Sequence, residues 1–326
     1  MRLFVYEFVT GGGMAGEALP PTLVREADLM LQALIAELAT LPIELLTCRD
    51  PRLPPIDGVP TLVPAPGEDR FACFGRGVAA SDAAWPTAPE TGGILERLAR
   101  MTLAAGRRLV GCRPEAIAVA ASKVRTAAAL AARGLPVVPT FTQPADLPAL
   151  PGPWVVKPDD GAGAVDTRWL ADRDAARRHL AAHPGSVAQP WLAGDALSLS
   201  LNCQESGVEL LAVNRQHLSL DGGHVRLRAL EVNILPDPAR SFGAFAERIV
   251  AGIPGLSGYV GVDLVATAAG PVVLEVNPRL TTSYVGLARV LPRNLAAAVL
   301  GLDPGEAPAA TAAGPLTLDL ETLDAG

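Results

Sequence analysis

Two carboxylates and an amide near the C-terminal end, Asp263, Glu275 and Asn277, are spaced so that a single hairpin would bring them together. The stretch "YVGVDLVATAAGPVVLEVNPRL" reads as two alternating strands joined by Ala268, Ala269 and Gly270. A three-residue turn with glycine in its left-handed position sets Asp263 directly opposite Glu275, their Cβ atoms within about 5 Å. Asn277 falls on the same face, while Leu264, Leu274 and Val276 fall on the other and can pack into a core. Two facing carboxylates repel unless a cation lies between them. Oxygen ligands alone suit Mg²⁺ or Mn²⁺ rather than zinc, the alternative being an ordinary solvated sheet face. Arg279, just after Pro278, would stand at the mouth of such a site and could hold a carboxyl or transferring phosphoryl oxygen.

Lysine usage is the second chemical signal. Of 27 basic residues only Lys123 and Lys157 are lysines. Arginine is a planar fork and lysine a compact point charge, so a site built around an ammonium resists the exchange, although chance retention would look the same. Lys157 closes the apolar run "WVV" and precedes "PDDGAGAVD", where Gly161, Ala162, Gly163 and Ala164 would let backbone N–H groups approach phosphates closely. The lysine precedes the glycines and no G-K-S/T follows, which excludes a Walker A loop. With magnesium carboxylates about a hundred residues downstream, this loop becomes half of a nucleotide site.

The elements that must position these groups read as alternating strands and helices. Residues 2–9, "IELLTC" and "RFACFG" are expected strands, residues 22–39 an amphipathic helix, and "WPTAPETGG" a Pro-rich loop before another helix. With "RLVGC" as a further strand they form a small parallel α/β unit over residues 1–113. "PEAIAVAASKVRTAAALAARG" is expected to be helical with Gly134 capping its end. Residues 114–185 then form one α+β lobe, residues 186–304 a second with a hairpin at "LDGG", and residues 305–326 a loosely held tail.

Composition narrows the classes. A chain of 326 residues with 49% hydrophobic and 19% charged residues is globular and long enough for two or three lobes. A formal charge of −7 without an Arg-rich stripe argues against a nucleic-acid partner, and no apolar run is long enough for a bilayer. The scattered Cys48, Cys73, Cys112 and Cys203 and the lack of a signal-peptide pattern point to reduced thiols in the cytoplasm. His179 and His183, four apart on an expected helix, form a surface pair rather than a zinc site.

The opening "FVTGGGMAGEALPP" matches G-x-G-x-x-G through Gly11, Gly13 and Gly16 after a strand. In a dinucleotide turn the last glycine lies inside the opening helix, but here "EALPP" delays the helix past Pro20. A dehydrogenase reading therefore fails by context, and residues 10–17 are expected to form a flexible loop over the substrate side of the cleft.

The order of these parts resembles the ATP-grasp superfamily, in which two α+β lobes clamp ATP. The resemblance runs across residues 114–285, with "LEVNPRL" its most specific segment, and implies an ATP-grasp fold preceded by a Rossmann-like α/β domain. It implies that Lys123, Lys157 and Gly161–Gly163 hold ATP phosphates and that Asp263, Glu275 and Asn277 hold Mg²⁺ or Mn²⁺. It places Gln189, Leu192 and Asp195 of "AQPWLAGD" at the adenosine, with Gln189 where many relatives have a glutamate. A ribose-binding acid is expected at Ala196, so Asp195 stands one residue early. "YEFVTGGG", "WPTAPETGGIL" and "NPRLTTSYVGL" are most similar to the tyramine–glutamate ligase family of methanofuran biosynthesis and its bacterial relatives. That likeness implies an ADP-forming carboxylate–amine ligase working through an acyl phosphate. Arg215 of "VNRQ" and Arg279 are then candidates to steady the transferring phosphoryl group and the oxyanion, with a surface strand arginine the alternative for Arg215. Gly11, Gly12, Gly13, Glu90 and Ser283 are candidate substrate contacts, and helix capping is the alternative for Glu90. Expected partners are an amino-acid carboxylate and an amine, with a homodimer as the candidate assembly. A kinase and a non-catalytic ATP-binding regulator are the rival readings.

Overall fold

The computed structural model describes residues 1–163, 165–235, 237–302, 314–320 and 322. Ala164 and most of the expected tail lie outside the described residues.

The first unit is a parallel sheet in the order β3-β2-β1-β4-β5, built from β1 (Arg2–Glu7), β2 (Glu44–Cys48), β3 (Thr61–Leu62), β4 (Ala83–Thr87) and β5 (Arg108–Leu109). It is wound with α1 (Pro21–Leu38), α2 (Ala72–Ala79) and α3 (Ile94–Ala104). β1 is central and β1 and β4 are buried almost throughout, as a two-sided parallel sheet requires.

Two expectations here are corrected. "RFACFG" is not a strand but leads into α2, because Phe71, Phe74 and Val78 recur at helical spacing and are all buried. The expected Pro-rich loop contributes β4 instead. Pro86 sits opposite Tyr6, beyond Ala84 where β5 has ended, so that edge of the sheet has no ladder for its missing N–H to break.

The first half of the Gly-rich opening, residues 10–13, is a buried turn rather than a flexible loop, and within residues 10–17 only 15–17 are exposed. Gly11 and Gly13 donate backbone hydrogen bonds to Glu7 (2.8 Å) and Phe8 (2.8 Å), and residues 10–13 are buried. A Cβ on Gly11 would lie 2.6 Å from the Glu7 carbonyl oxygen, and one on Gly12, at φ 93°, would lie 2.3 Å from Pro64 Cγ. The glycines are therefore there for packing, and Gly12→Ala is expected to cost roughly 2 kcal/mol in chemical denaturation. An unchanged denaturation midpoint would show that the turn can relax.

The expected single helix over residues 114–134 is two. α4 (Pro114–Ala120) stops, and Ser122 starts α5 (Lys123–Ala131) by accepting a hydrogen bond from the Arg125 N–H. The break puts Lys123 on the first turn of a new helix. Gly134, at φ 66°, ends it as expected, with Leu135 N–H reaching back to the Leu130 carbonyl (3.1 Å).

The rest is organised on a second sheet, of nine strands among the described residues. Its order is β13-β12-β9-β10-β11-β7-β6-β8, with β14 added on β11. The strands are β6 (Trp154–Pro158), β7 (Arg168–Leu170), β8 (Ser186–Pro190), β9 (Asp195–Gln204), β10 (Gly207–Asp221), β11 (His224–Val232), β12 (Gly258–Thr267), β13 (Gly270–Asn277) and β14 (Leu316–Asp319). Interspersed are α6 (Arg173–Ala182), α7 (Pro238–Gly252), α8 (Ser283–Val290) and α9 (Leu295–Leu300). β8 pairs with β6, so the strand carrying Gln189 belongs with the first lobe's strands and not with residues 191 onward. "LDGG" turns the β10–β11 hairpin through Gly222 and Gly223. Within the tail, residues 316–319 are a strand held on β11, because Leu318 is buried in the core. No helix among the described residues is long and apolar enough to cross a membrane.

Candidate active site

The β12–β13 hairpin differs from the expected one in its turn yet gives the same pairing where it matters. Thr267 faces Gly270 around a two-residue turn, and a β-bulge beside Asp263 takes up Leu274 as the extra residue. The register is thereby shifted back, and Asp263 faces Glu275 while Gly261 faces Asn277. The bulge also corrects the core. Val273 and Val276 are buried with Leu264, whereas Leu274 is half-buried.

The face of this hairpin collects charge from distant parts of the chain. Lys157, from the end of β6, and Lys123, from the start of α5, approach the same Glu275 oxygen at 3.5 Å and 3.4 Å. Lys123 Nζ also donates to the carbonyls of Gly161 (2.8 Å) and Asp159 (3.2 Å), which ties the helix to the Gly-rich loop. Asp159 holds the other end of that tie, accepting from the Ser122 hydroxyl (2.6 Å) and the Val124 N–H (2.9 Å). Asp263 accepts from Asn277 Nδ2 (3.0 Å) and Gln216 Nε2 (2.9 Å).

Electrostatics follow from this geometry. Burial raises the Asp263 carboxyl and the Glu275 charge raises it further, to about 7. Burial acts the same way on Glu275, but the Lys157 and Lys123 ammoniums outweigh it and hold it at about 2. Lys157 is pushed down by burial and by Lys123, against the pull of Glu275. One carboxylate thus has its counter-ions and the other does not, which leaves Asp263 seeking either a proton or a cation. Among the described residues no cluster of three His, Cys, Asp or Glu could hold a metal. The donor set is two carboxylates and a carboxamide, all oxygen ligands, which suits a Mg²⁺ that completes its shell with water and phosphate oxygens.

Arg279 follows β13 and is largely buried against Glu90, with Nε and Nη2 donating to the two carboxylate oxygens at 3.0 Å and 3.2 Å. Glu90 opens a 3₁₀ turn (Thr91–Gly93) without a side-chain capping bond, so its carboxylate serves Arg279 and not the helix.

Other expected contacts lie elsewhere. Arg215 pairs with Leu197 and through it with Leu264, on the opposite sheet face from Asp263, and its guanidinium reaches Glu231 at 3.1 Å. Its neighbour Gln216 is the residue that alternation turns toward Asp263. Ser283 is buried in a hydroxyl cluster with Thr281 (2.9 Å), Tyr259 (3.0 Å) and Ser200 (3.2 Å), which closes it to a substrate in this conformation. Gly11–Gly13 are likewise packed inside the first unit. Gln189 is buried and donates to Thr140 (3.0 Å), Leu192 is half-buried, and Asp195 is exposed at the start of β9. The four cysteines are free and buried, with Cys48 and Cys73 in contact, and His179 and His183 stack on α6.

Sequence reading missed Gln216, Asp159 and the partnership of Glu90 with Arg279. Only the Ser122 cap signal ahead of Lys123 was there to be found locally. The other contacts join residues 35 to 189 positions apart.

The fold and the sequence have counterparts among known proteins. The family model described as ATP-grasp domain matches residues 120–283, half of the chain. The chain belongs to the ATP-grasp family. A pre ATP-grasp 3 domain model matches residues 43–117, from just before β2 through the rest of the parallel unit and into α4. The ATP-grasp chain is 31% identical over 206 residues to a tyramine–L-glutamate ligase of Methanocaldococcus jannaschii, a match covering 63% of this chain. That match spans 58% of the relative's own length. An ATP-grasp superfamily protein from Archaeoglobus fulgidus has the same fold, with a TM-score of 0.73, 24% identity and coverage of 99% of this chain and 100% of that one. An L-amino acid ligase from Bacillus licheniformis aligns with a TM-score of 0.63 and 17% identity, covering 94% of this chain and 77% of the other.

Proposed function

We propose that this protein is an ATP-dependent carboxylate–amine ligase that releases ADP and phosphate, joining L-glutamate to tyramine or a tyrosine-like amine. The observation that carries the proposal is the convergence of Lys123 and Lys157 on Glu275, beside Asp263 and Asn277, with the largely buried Arg279 at the end of the same hairpin. A carboxylate is a poor electrophile, and phosphorylating it creates a good leaving group. Phosphoryl transfer needs mainly positioning and neutralised charge, which is what this cluster supplies. Lys123, Lys157 and the Gly161–Gly163 loop would hold the phosphates of ATP, a substrate here, while Gln189 and Leu192 line the base side. Asp263, Glu275 and Asn277 would hold Mg²⁺, whose chemistry when bound is to neutralise phosphate charge. Arg279 would then orient the carboxylate and steady the oxyanion.

The choice of glutamate and tyramine draws on the likeness to the archaeal ligase. A place in methanofuran-type cofactor biosynthesis and a cytoplasmic location follow from the same reading. The test is a screen of amino acid and amine pairs for ADP release. ADP and phosphate should appear only when a carboxylate and an amine are both present. Release of AMP, or equal ATP turnover with neither substrate, would remove the ligase reading.

A further inference from the structure

The Glu90–Arg279 pair is an unusual thing to find at a site for joining two molecules. Glu90 is buried and the Arg279 side chain is only 14% exposed, and they come from different units, 189 residues apart in the chain. Burying two opposite charges removes hydration from each and is often no more stabilising than apolar packing would be. Glu90 makes no capping bond to the helix it precedes, and beyond Glu90 the Arg279 guanidinium donates to the Leu280 carbonyl (3.1 Å).

The turn that carries Glu90 also touches the nucleotide side. The Thr91 hydroxyl donates to the Asp160 carbonyl (2.9 Å), and the Gly92 N–H donates to the Asp160 carboxylate (3.0 Å). Asp160 immediately precedes Gly161. Glu90 is therefore held between the phosphate loop and the end of the carboxylate hairpin, where an activated substrate would meet its nucleophile.

A guanidinium facing a carboxylate is the chemical image of the substrates themselves, a carboxylate and an ammonium. We infer that Glu90 and Arg279 stand in for the two substrates: the carboxylate to be activated replaces Glu90 on Arg279, and the amine's ammonium replaces Arg279 on Glu90. Glu90 then serves as the base for the amine. This rests on the ligase reading and adds to it the residue that handles the nucleophile.

The step balances. An N–H bond of the ammonium breaks and an O–H bond forms on Glu90, freeing the nitrogen lone pair. That lone pair forms the C–N bond at the acyl carbon, and the bond from carbon to the phosphate oxygen breaks. The departing phosphate takes the second proton of the nitrogen, leaving a neutral amide, and Glu90 returns its proton to solvent. Among the described residues, Arg279 pairs with Glu90, the buried thiol of Cys112 feels its charge and the Asp160 carboxylate sits on the same turn, while Glu26 and Glu275 act on Arg279.

The test uses the full-length protein with ATP, magnesium and L-glutamate, and compares two nucleophiles. Tyramine is an ammonium near neutral pH and needs a base. Hydroxylamine is largely neutral there and traps the acyl phosphate as a hydroxamate. In Glu90→Gln, hydroxamate formation should stay near the wild-type rate while amide formation falls about a hundredfold or more. The amide rate should recover as pH rises and free amine accumulates, and Glu90→Asp should restore part of it at neutral pH. The thermal shift produced by magnesium–ATP should be kept in Glu90→Gln.

Equal loss of hydroxamate and amide, loss of neither, or loss of the thermal shift would each overturn the assignment and leave Glu90 a structural residue. Those outcomes leave the ligase reading standing. A wild type that forms no hydroxamate from ATP and L-glutamate would overturn that reading as well.

Discussion

Glu275→Gln is expected to lower turnover by about a thousandfold or more while ATP still binds. Glu275 is the shared counter-ion of Lys123 and Lys157, whose side chains are 5% and 12% exposed. Removing its charge does two things. It takes one anionic oxygen ligand from the candidate magnesium site, and it leaves two buried ammoniums facing an amide. Breaking a buried pair on one side costs about 3 kcal/mol, so the protein without nucleotide should unfold at lower urea. The phosphates of ATP would supply the missing negative charge, and ATP should therefore restore more stability to the variant than it adds to the wild type. ADP-release kinetics and urea titrations with and without ATP check both halves. Turnover within a few-fold of wild type would take Glu275 out of the metal site.

Magnesium, added with a non-hydrolysable ATP analogue, is expected to stabilise the protein more at about pH 8 than at about pH 6. Asp263 is raised by burial and by Glu275 from 3.8 to about 7. A carboxyl whose folded pKa lies above its unfolded value favours the fold when protonated. That contribution is complete below the unfolded pKa and is lost as pH rises through the folded one, here between 3.8 and about 7. Above it the metal-free fold carries an uncompensated carboxylate, at a cost on the order of 4 kcal/mol. A cation removes that cost at pH 8, whereas at pH 6 it must first displace a proton. Asp263→Asn should accordingly raise the melting temperature of the metal-free protein at pH 8, change it little near pH 3, and abolish the magnesium increment. Equal magnesium increments at both pH values would separate Asp263 from the metal.

Local patterns carried well wherever the deciding partners were near in sequence. The Asp263–Glu275 pairing needed only one hairpin, and it survived an error in the turn because the bulge at Leu274 restored the register. The helix start behind Pro20 and the Gly134 stop likewise follow from neighbours within a turn, whereas the helical pattern of residues 114–134 runs through the break before Lys123 although Ser122 marks it. "RFACFG" failed for a different reason. Six residues can satisfy alternation and helical spacing together, and only the longer run through Val78, with Phe4 of β1 packed against Gly77, separates them.

Residue type alone marked both lysines and the acid–acid–amide set, because an ammonium and an oxygen-ligand cluster are chemically distinct wherever they fall. What no stretch of sequence could say was which face of which strand meets which partner. Arg215 and Gln216 are adjacent and equally polar, yet strand alternation turns one to Glu231 and the other to Asp263. Glu90 could have capped a helix, and it neutralises Arg279 only because the first unit docks against the end of β13. The chemistry at risk was thus written in the residue types, and its arrangement was decided by strand order and domain docking. Those depend on contacts between positions tens to hundreds of residues apart, which local periodicity does not encode.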